Sequence, residues 1–236
     1  MVKKPVIFFL SKSGGGKDTQ ADLLLEKLPF KYINTGDAFR ELISDVSIQN
    51  LQKGSIERYE AEEIKGLVNS GKFSPSISVI QLWRKSLLSM AQSHEDTKGI
   101  VLVGMARKLG EAIVLNDFFQ TWPDAKKHFR LIPVLLNVSD KEAIRRLLIR
   151  RQCVGCTKPV SGLPHEATLK ECMRCGGELV KRKDDTPKGA ASRILEFKEH
   201  VVPVVNFFKK QKIIKVIDGN RTIDVIHRDI VKTLGL

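Results

Sequence analysis

The sequence predicts an α/β fold: a five-stranded parallel sheet with helices on both faces. Short, continuously apolar runs carry that expectation, because strands buried on both faces read that way. These runs alternate with helix-period segments, as crossover connections require. Two stretches, residues 36–75 and 152–183, break the rhythm and read as insertions near strand C-terminal ends, where ligands bind in such sheets.

The first strand is Lys4-Pro-Val-Ile-Phe-Phe-Leu10, which stops at a Ser/Gly cluster. Lys17–Leu28 follows as a helix, with Ala21, Leu24, Leu25 and Leu28 on one face. Lys31-Tyr-Ile33 is a short strand. Residues 36–75 are polar and helical with no strand, and Ile56–Ser70 carries the clearest helix period there. Then come a helix at Ser76–Ser93, a strand at Gly99–Val103, a helix at Lys108–Trp122, a strand at Leu131–Val138 and a helix at Asp140–Arg151. Residues 152–183 are rich in Cys and Gly and poor in helix signals. Pro187–Lys210 reads as one helix, Lys212–Ile217 as the last strand and Thr222–Leu234 as the last helix. There is no internal repeat and no low-complexity segment.

A length of 236 residues suits one large α/β domain with inserts, and 42% hydrophobic residues are enough for a core, which excludes a disordered chain. The longest apolar candidate for a membrane span, Val201–Phe208, is broken by Pro203 and Asn206. After Lys3 and Lys4, the apolar run Pro5–Leu10 is too short for a secretory core region, so a soluble, cytoplasmic protein is expected. The net charge of +13 points to a polyanionic partner (nucleic acid, nucleotide phosphates or an anionic membrane) or to solubility alone, and charge does not choose among these.

Motifs choose better. Ser11-Lys-Ser-Gly-Gly-Gly-Lys-Asp-Thr-Gln20 follows a strand and opens a helix. Glycines let backbone N–H groups wrap a polyphosphate, the helix N-terminus adds positive potential, and Lys17 adds a full charge. The plain alternative is a glycine-rich βα turn, but the lysine ends the glycine run at the offset a phosphate loop needs. The loop is a variant: the general pattern's first glycine is Ser11, and its Ser/Thr after the lysine is Asp18.

Cys153-x2-Cys156-x15-Cys172-x2-Cys175 has the spacing of a structural zinc site, in which four thiolates close a tetrahedron and leave no position open for catalysis. Gly155 and Gly176 suit the tight turns of such knuckles. Two disulfides or a small iron–sulfur site are the alternatives.

In order along the chain stand Gly16-Lys-Asp-Thr-Gln-Ala21, Asn34-Thr-Gly-Asp-Ala-Phe-Arg40, Gly71-Lys-Phe-Ser-Pro75, Gly104-Met-Ala-Arg107 and Arg146-Leu-Leu-Ile-Arg-Arg151. The paired cysteines, Gly176-Gly-Glu-Leu-Val-Lys-Arg-Lys-Asp-Asp185, Arg193 and Ile217-Asp-Gly219 complete the set. Together they resemble the adenylate kinase family, P-loop nucleoside monophosphate kinases, in the form whose lid holds zinc on four cysteines. The resemblance implies a single domain over 1–236: a core of 1–35, 76–151 and 184–236, a monophosphate-binding insert at 36–75 and a zinc lid at 152–183. It implies transfer of the γ-phosphoryl of Mg-ATP to AMP, giving two ADP, in a cytoplasmic monomer with no nucleic-acid or membrane partner.

The resemblance also implies residue roles. Ser13, Gly14, Gly15, Gly16, Lys17, Asp18, Thr19, Arg146 and Arg150 would bind ATP. Thr35, Gly36, Arg40, Gly104, Arg107, Glu111, Arg182 and Arg193 would bind AMP. Lys17, Arg107, Arg150, Arg182 and Arg193 would surround the transferring group, with Asp184 and Asp185 orienting the arginines. Arginine suits this work because its planar fork makes bidentate phosphate contacts. The cofactors implied are Mg2+ with ATP and structural Zn2+ in the lid. The first insert is about ten residues longer than in compact relatives, within Ser44–Lys53, as loops tolerate.

The chain departs from the family pattern at five positions. Val103 stands where an aspartate near the magnesium waters is usual, Asp18 where glycine is, Ala106 where proline is and Ser76 where aspartate is. Glu111 takes the place of the glutamine that reads the acceptor base. Asp18 either takes over contact with Mg2+ or caps its helix N-terminus. Glu111, if ionised, only accepts hydrogen bonds and so matches the two Watson–Crick donors of guanine, which makes GMP the alternative acceptor; a protonated Glu111, or one displaced by a residue, would leave AMP. Two other readings are a catalytically weak relative that binds nucleotide and a nucleic-acid-binding module. The module accounts for charge and cysteines but not for the loop and arginines, and no aromatic residue lies between Cys153 and Cys175 to stack bases.

Overall fold

The computed structural model describes residues 2–35, 42–69, 73–93, 97–156, 159–160, 169–182 and 185–236, with only the backbone at 45, 46, 68 and 69. Gly36, Arg40 and Asp184, all expected in the site, lie outside the described residues.

The chain runs β1 (Lys4–Ser11), α1 (Lys17–Lys27), β2 (Phe30–Asn34), α2 (Asp45–Asn50), α3 (Ile56–Asn69), α4 (Ser76–Gln92) and β3 (Gly99–Val103). It continues through α5 (Leu109–Thr121), α6 (Pro123–His128), β4 (Phe129–Asn137) and α7 (Asp140–Ile149). Next are β5 (Arg151–Cys153), β6 (Pro159–Val160) and β7 (Leu179–Lys181), then α8 (Pro187–Glu196), a π-helical turn at Phe197–Val201, α9 (Val202–Lys210), β8 (Lys215–Asp218) and α10 (Ile223–Leu234).

A five-stranded parallel sheet has the order β2-β3-β1-β4-β8. In register, β1 places Val6 beside Ile100 and Phe9 beside Val103, while β2 places Phe30 beside Gly99 and Asn34 beside Val103. All five residues of β3 and Val6–Leu10 of β1 are buried, so the centre of the sheet is covered on both faces, as the continuous apolar runs predict.

The chain forms two compact units. The first comprises residues 1–10, 21–134 and 200–215. Here α4 buries Val79, Trp83, Leu87 and Met90 at helical spacing, α5 buries Ala112, Leu115 and Phe119, and Phe8 meets Phe208 edge-on at 6.0 Å. The second comprises residues 11–20, 135–199 and 216–236. Val138, Ala143 and Ile194 pack together there, and the segment expected to be a lid carries a separate antiparallel sheet, β6-β5-β7, around Cys153, Cys172 and Leu179.

Four elements differ from expectation. The single helix expected over Pro187–Lys210 is interrupted by the π-helical turn at Phe197–Val201. Pro203, at the start of α9, has no N–H to donate back to Glu199, which leaves that register open to widening. The last strand begins at Lys215 rather than Lys212, because Lys212 (φ 58°) and Ile213 still bond to Lys209 and Phe208 at the exit of α9. Within the insert expected to be helical, α2 lies in the extra length at Ser44–Lys53 and is not delimited by the sequence; its first turn is capped by Ser44 accepting from Ser47 N–H at 3.2 Å. Finally, α6 is a helix beyond those the apolar periods predict, although Pro123 at its first position is a start signal. Among the described residues no helix is long and apolar enough to cross a membrane.

Candidate active site

The phosphate loop belongs to the second unit and rests on α7. Gly14 has φ +81°, and a Cβ there would lie 2.5 Å from the carbonyl oxygen of Ala143, so neither the conformation nor the space admits a side chain. Gly15 N–H donates to Lys12 O at 2.9 Å, closing the turn. The Ser11 hydroxyl donates to Leu136 O at 3.2 Å. Lys12 Nζ donates to Val138 O at 2.6 Å, pairs with Asp140 at 2.6 Å and lies 5.7 Å from the centre of the Phe197 ring. Asp140 also pairs with Lys198 at 2.7 Å, and the hydrogen bond from Lys12, then that from Lys198, hold its carboxyl below the ordinary carboxylate range. Lys17 Nζ sits 2.7 Å from Asp18 Oδ2, so each is the other's counter-ion.

Beyond the loop, arginines are held by acids. Asp185 is fully buried and accepts from Arg150 Nε (2.9 Å) and Nη2 (2.7 Å) in a fork, and from Arg193 Nη1 at 2.6 Å. Burial pushes the Asp185 carboxyl up, but the hydrogen bonds and charges of Arg150 and then Arg193 outweigh it and keep it below its usual value. The Asp185 N–H donates to Arg182 O at 3.1 Å, just before α8. Arg146 donates to Glu142 at 2.7 Å and to Gly219 O at 2.9 Å. Glu142, bonded first by Arg145 and then by Arg146, is lowered to about 2. Gly219 N–H donates to Asn137 O at 2.9 Å and Asn220 Oδ1 accepts from Ser139 N–H at 2.9 Å, so the end of β8 is tied to the end of β4 and the cap of α7.

The four cysteines converge as the spacing predicts. Their sulfurs all lie within 4.8 Å of one another. Cys153 and Cys175 are 3.4 Å apart and Cys156 and Cys172 are 3.7 Å apart, far longer than a disulfide bond of about 2.05 Å. Thiolates at about 2.3 Å from one zinc ion stand roughly 3.8 Å apart, so the donor set fits the metal. The Gly177 backbone, first, and then the Cys153 thiol hydrogen-bond to Cys175 and lower its pKa, favouring the thiolate that binds metal. Of the glycines beside the cysteines, Gly177 has the least room, less than Gly155 or Gly176: a Cβ there would lie 2.9 Å from Cys153 Sγ.

In the first unit the turn between β3 and α5 carries Gly104 (φ +75°), Ala106 (φ +45°) and Arg107. Glu111 is buried in the first turn of α5. Its Oε2 accepts from Arg107 N–H at 2.9 Å and Lys108 N–H at 3.3 Å, and its Oε1 accepts from the Ser76 hydroxyl at 2.8 Å. Lys108 Nζ donates to Ser74 O at 3.0 Å, and the Arg107 guanidinium lies over the Phe73 ring at 5.2 Å. Thr35 is buried, and its hydroxyl has no partner among the described residues.

Of the expected site residues, Ser13–Thr19, Arg146, Arg150, Arg182, Asp185, Arg193 and the four cysteines fall in the second unit. Thr35, Gly104, Arg107 and Glu111 fall in the first. The sequence does not single out Lys12, Asp140, Gly177 or Ser139 as supports. For Lys12 the only available signal is its place inside the loop.

Residues 12–155 match the family model of the AAA domain, a stretch that runs from the phosphate loop to the first lid cysteine. The chain is 28% identical over 239 residues to the adenylate kinase of Chlamydia muridarum (strain MoPn / Nigg), covering 97% of this chain and 86% of that protein. Its identity to the adenylate kinase of Elusimicrobium minutum (strain Pei191) is 28% over 233 residues, 98% of each chain. A third relative, the adenylate kinase of Archaeoglobus fulgidus, is 28% identical over 229 residues, 95% of each. The chain belongs to the adenylate kinase family, built on an AAA domain. In this family member the loop, the acid-held arginines and the thiol cluster all belong to one unit of the chain.

Proposed function

We propose that the chain is a nucleoside monophosphate kinase that moves the γ-phosphoryl of Mg-ATP to AMP, as a cytoplasmic monomer. The observation that carries this reading is the Arg150–Asp185–Arg193 cluster in the same unit as the phosphate loop. Phosphoryl transfer asks the protein for in-line positioning and positive charge around the equatorial oxygens, with little covalent chemistry of its own. A guanidinium fixed by a buried carboxylate is already oriented, so no reorganisation is needed as charge develops.

In this reading Lys17, Thr19, Ser13 and the N–H groups of Gly14, Gly15 and Gly16 hold the ATP phosphates, and Arg146 lies against the base. Arg150, Arg182 and Arg193 surround the transferring group, with Asp185 and Asp184 orienting them. Arg40 and Arg107 hold the acceptor's α-phosphate, and Thr35, Gly36 and Gly104 line its pocket by close backbone approach. Mg2+ arrives with ATP and supplies charge neutralisation on the phosphates. Asp18, a hard-oxygen group paired with Lys17 in a chain with Val103 in place of the usual aspartate, would help to hold that Mg2+. Asp18→Gly should therefore weaken the Mg2+ dependence of turnover; an unchanged dependence overturns that role. Zinc held by Cys153, Cys156, Cys172 and Cys175 stiffens the lid and takes no part in bond-making.

GMP as acceptor depends on a Glu111 carboxylate free to meet guanine, and three hydrogen bonds from its own chain already occupy it. With that argument for guanine removed, the likeness to adenylate kinases favours AMP as the acceptor. A coupled assay of ADP formation from ATP, with AMP, GMP, CMP and UMP in parallel and with and without Mg2+, tests the proposal. Fast Mg2+-dependent turnover with AMP is expected; no turnover with any acceptor overturns it.

A further inference from the structure

Glu111 is buried and accepts from three donors, none of them a cation: two backbone N–H groups and one hydroxyl. The N–H donors belong to Arg107 and Lys108, the last residues before α5. The hydroxyl belongs to Ser76, the first residue of α4. Lys108 Nζ adds a second tie, to Ser74 O, so the starts of two helices are fastened to each other around one carboxylate.

The turn being fastened is strained. Ala106 has φ +45°, a left-handed conformation that L-residues rarely adopt and that persists only where the surroundings over-determine it. It directs the next two N–H groups onto one Glu111 oxygen.

We infer that Glu111 and Ser76 form a coupled pair that positions the Arg107 turn, and that Glu111 does not read the acceptor base. The inference rests on the kinase reading for the role of Arg107, but not for the coupling itself. Chemistry limits the pair to one carboxylate. Ser76 can donate to an ionised Glu111, whereas an aspartate at 76 would set two carboxylates against each other in a buried site, where both cannot ionise. An aspartate at 76 becomes compatible again if position 111 is an amide, because glutamine keeps one oxygen for the backbone N–H groups and offers its NH2 to the new acid. Ser76 and Glu111, two of the departures from the family pattern, are then a single exchange of an acid from one end of a hydrogen bond to the other.

The test is a double-mutant cycle on the full chain: Ser76→Asp, Glu111→Gln and the two together, read by thermal unfolding and by KM for AMP, GMP and ATP. Ser76→Asp alone should lower the unfolding midpoint and raise KM for AMP about tenfold, with KM for ATP little changed. The double variant should recover most of both losses. Glu111→Gln should leave AMP ahead of GMP by the same ratio as in the parent chain. Additive effects in the cycle overturn the coupling, and a changed AMP/GMP ratio in Glu111→Gln overturns the positioning role. If the parent chain phosphorylates no monophosphate, the kinase reading fails, while the unfolding midpoints still decide the coupling.

Discussion

At the candidate site, carboxylates do different work in the two units. In the second, Asp185, Glu142, Asp140 and Asp18 each hold a cation: Arg150 and Arg193, Arg145 and Arg146, Lys12 and Lys198, and Lys17. In the first, Glu111 is held by backbone N–H groups and a hydroxyl, and the nearby Arg107 guanidinium lies over the Phe73 ring. An acid bonded to cations sets where positive charge points and loses that function when protonated or removed. An acid bonded to neutral dipoles sets the path of the backbone. In the kinase reading proposed above, the first kind serves where charge develops and the second where a turn must hold one arginine in place.

The largest effect should come from breaking the first kind. Asp185→Ala leaves Arg150 and Arg193 facing each other without their shared acid, and removing one partner of a buried pair costs about 3–5 kcal/mol. Urea unfolding should show that loss, and turnover should fall more than ATP binding because the arginines lose their aim. A loss below about 1 kcal/mol, the scale of a surface pair, would mean the cluster is solvated and the contrast with Glu111 is false.

Next is the backbone of the second kind. Ala106→Pro installs the residue usual in the family, yet proline fixes φ near −65° and Ala106 needs +45°. It should cost roughly 3 kcal/mol and disconnect Glu111 from Arg107 N–H. Ala106→Gly, which relieves the strain, should instead be neutral or slightly stabilising in the same unfolding measurement. A well-folded, active Ala106→Pro variant would show that the turn can take another path and that Glu111 does not define it.

The parts of the site that were legible in the sequence are those where chemistry demands a residue type at fixed spacing: the glycines before Lys17, the paired cysteines and the arginines four apart on α7 and its end. The placement of β1, β3 and β4 followed from apolar runs because these strands are buried, whereas β8, exposed at three of its four residues, carries no such run and was placed too early. Partner choice was not legible. Nothing local shows that Ser76 would donate to Glu111, that Lys12 would reach Asp140 or that Asp18 would turn onto Lys17, since these depend on packing between distant segments or on one rotamer. The glycines make the same point. Gly176 takes the positive φ of a knuckle turn, but Gly177 is the one without space, because Cys153 Sγ and the Gly155 N–H crowd it. Gly177→Ala should therefore push a sulfur aside and weaken zinc binding by about tenfold, in the range of changes to a metal site's supporting shell. Competition with a chelator, followed by metal analysis, measures this, and equal zinc retention would mean the lid relaxes freely around the cluster.

The smallest effect separates the two kinds of acid by pH. Glu142 is lowered from 4.5 to about 2 by Arg145 and Arg146. A depressed folded-state pKa means the pairing stabilises the fold fully above the unfolded value, near pH 4.5, and is lost as pH falls toward 2. The side chain is partly exposed and salt screens it, so the contribution is held to about 1 kcal/mol or less. Glu142→Gln should thus lower the unfolding midpoint slightly at pH 6 and not at all near pH 2, with the difference shrinking in high salt. It should also loosen Arg146, whose other hydrogen bond goes to Gly219 O, and so raise KM for ATP more than KM for AMP. A midpoint difference that persists unchanged at pH 2 would mean Glu142 acts through packing, as a neutral side chain would, and not as the counter-ion of Arg146.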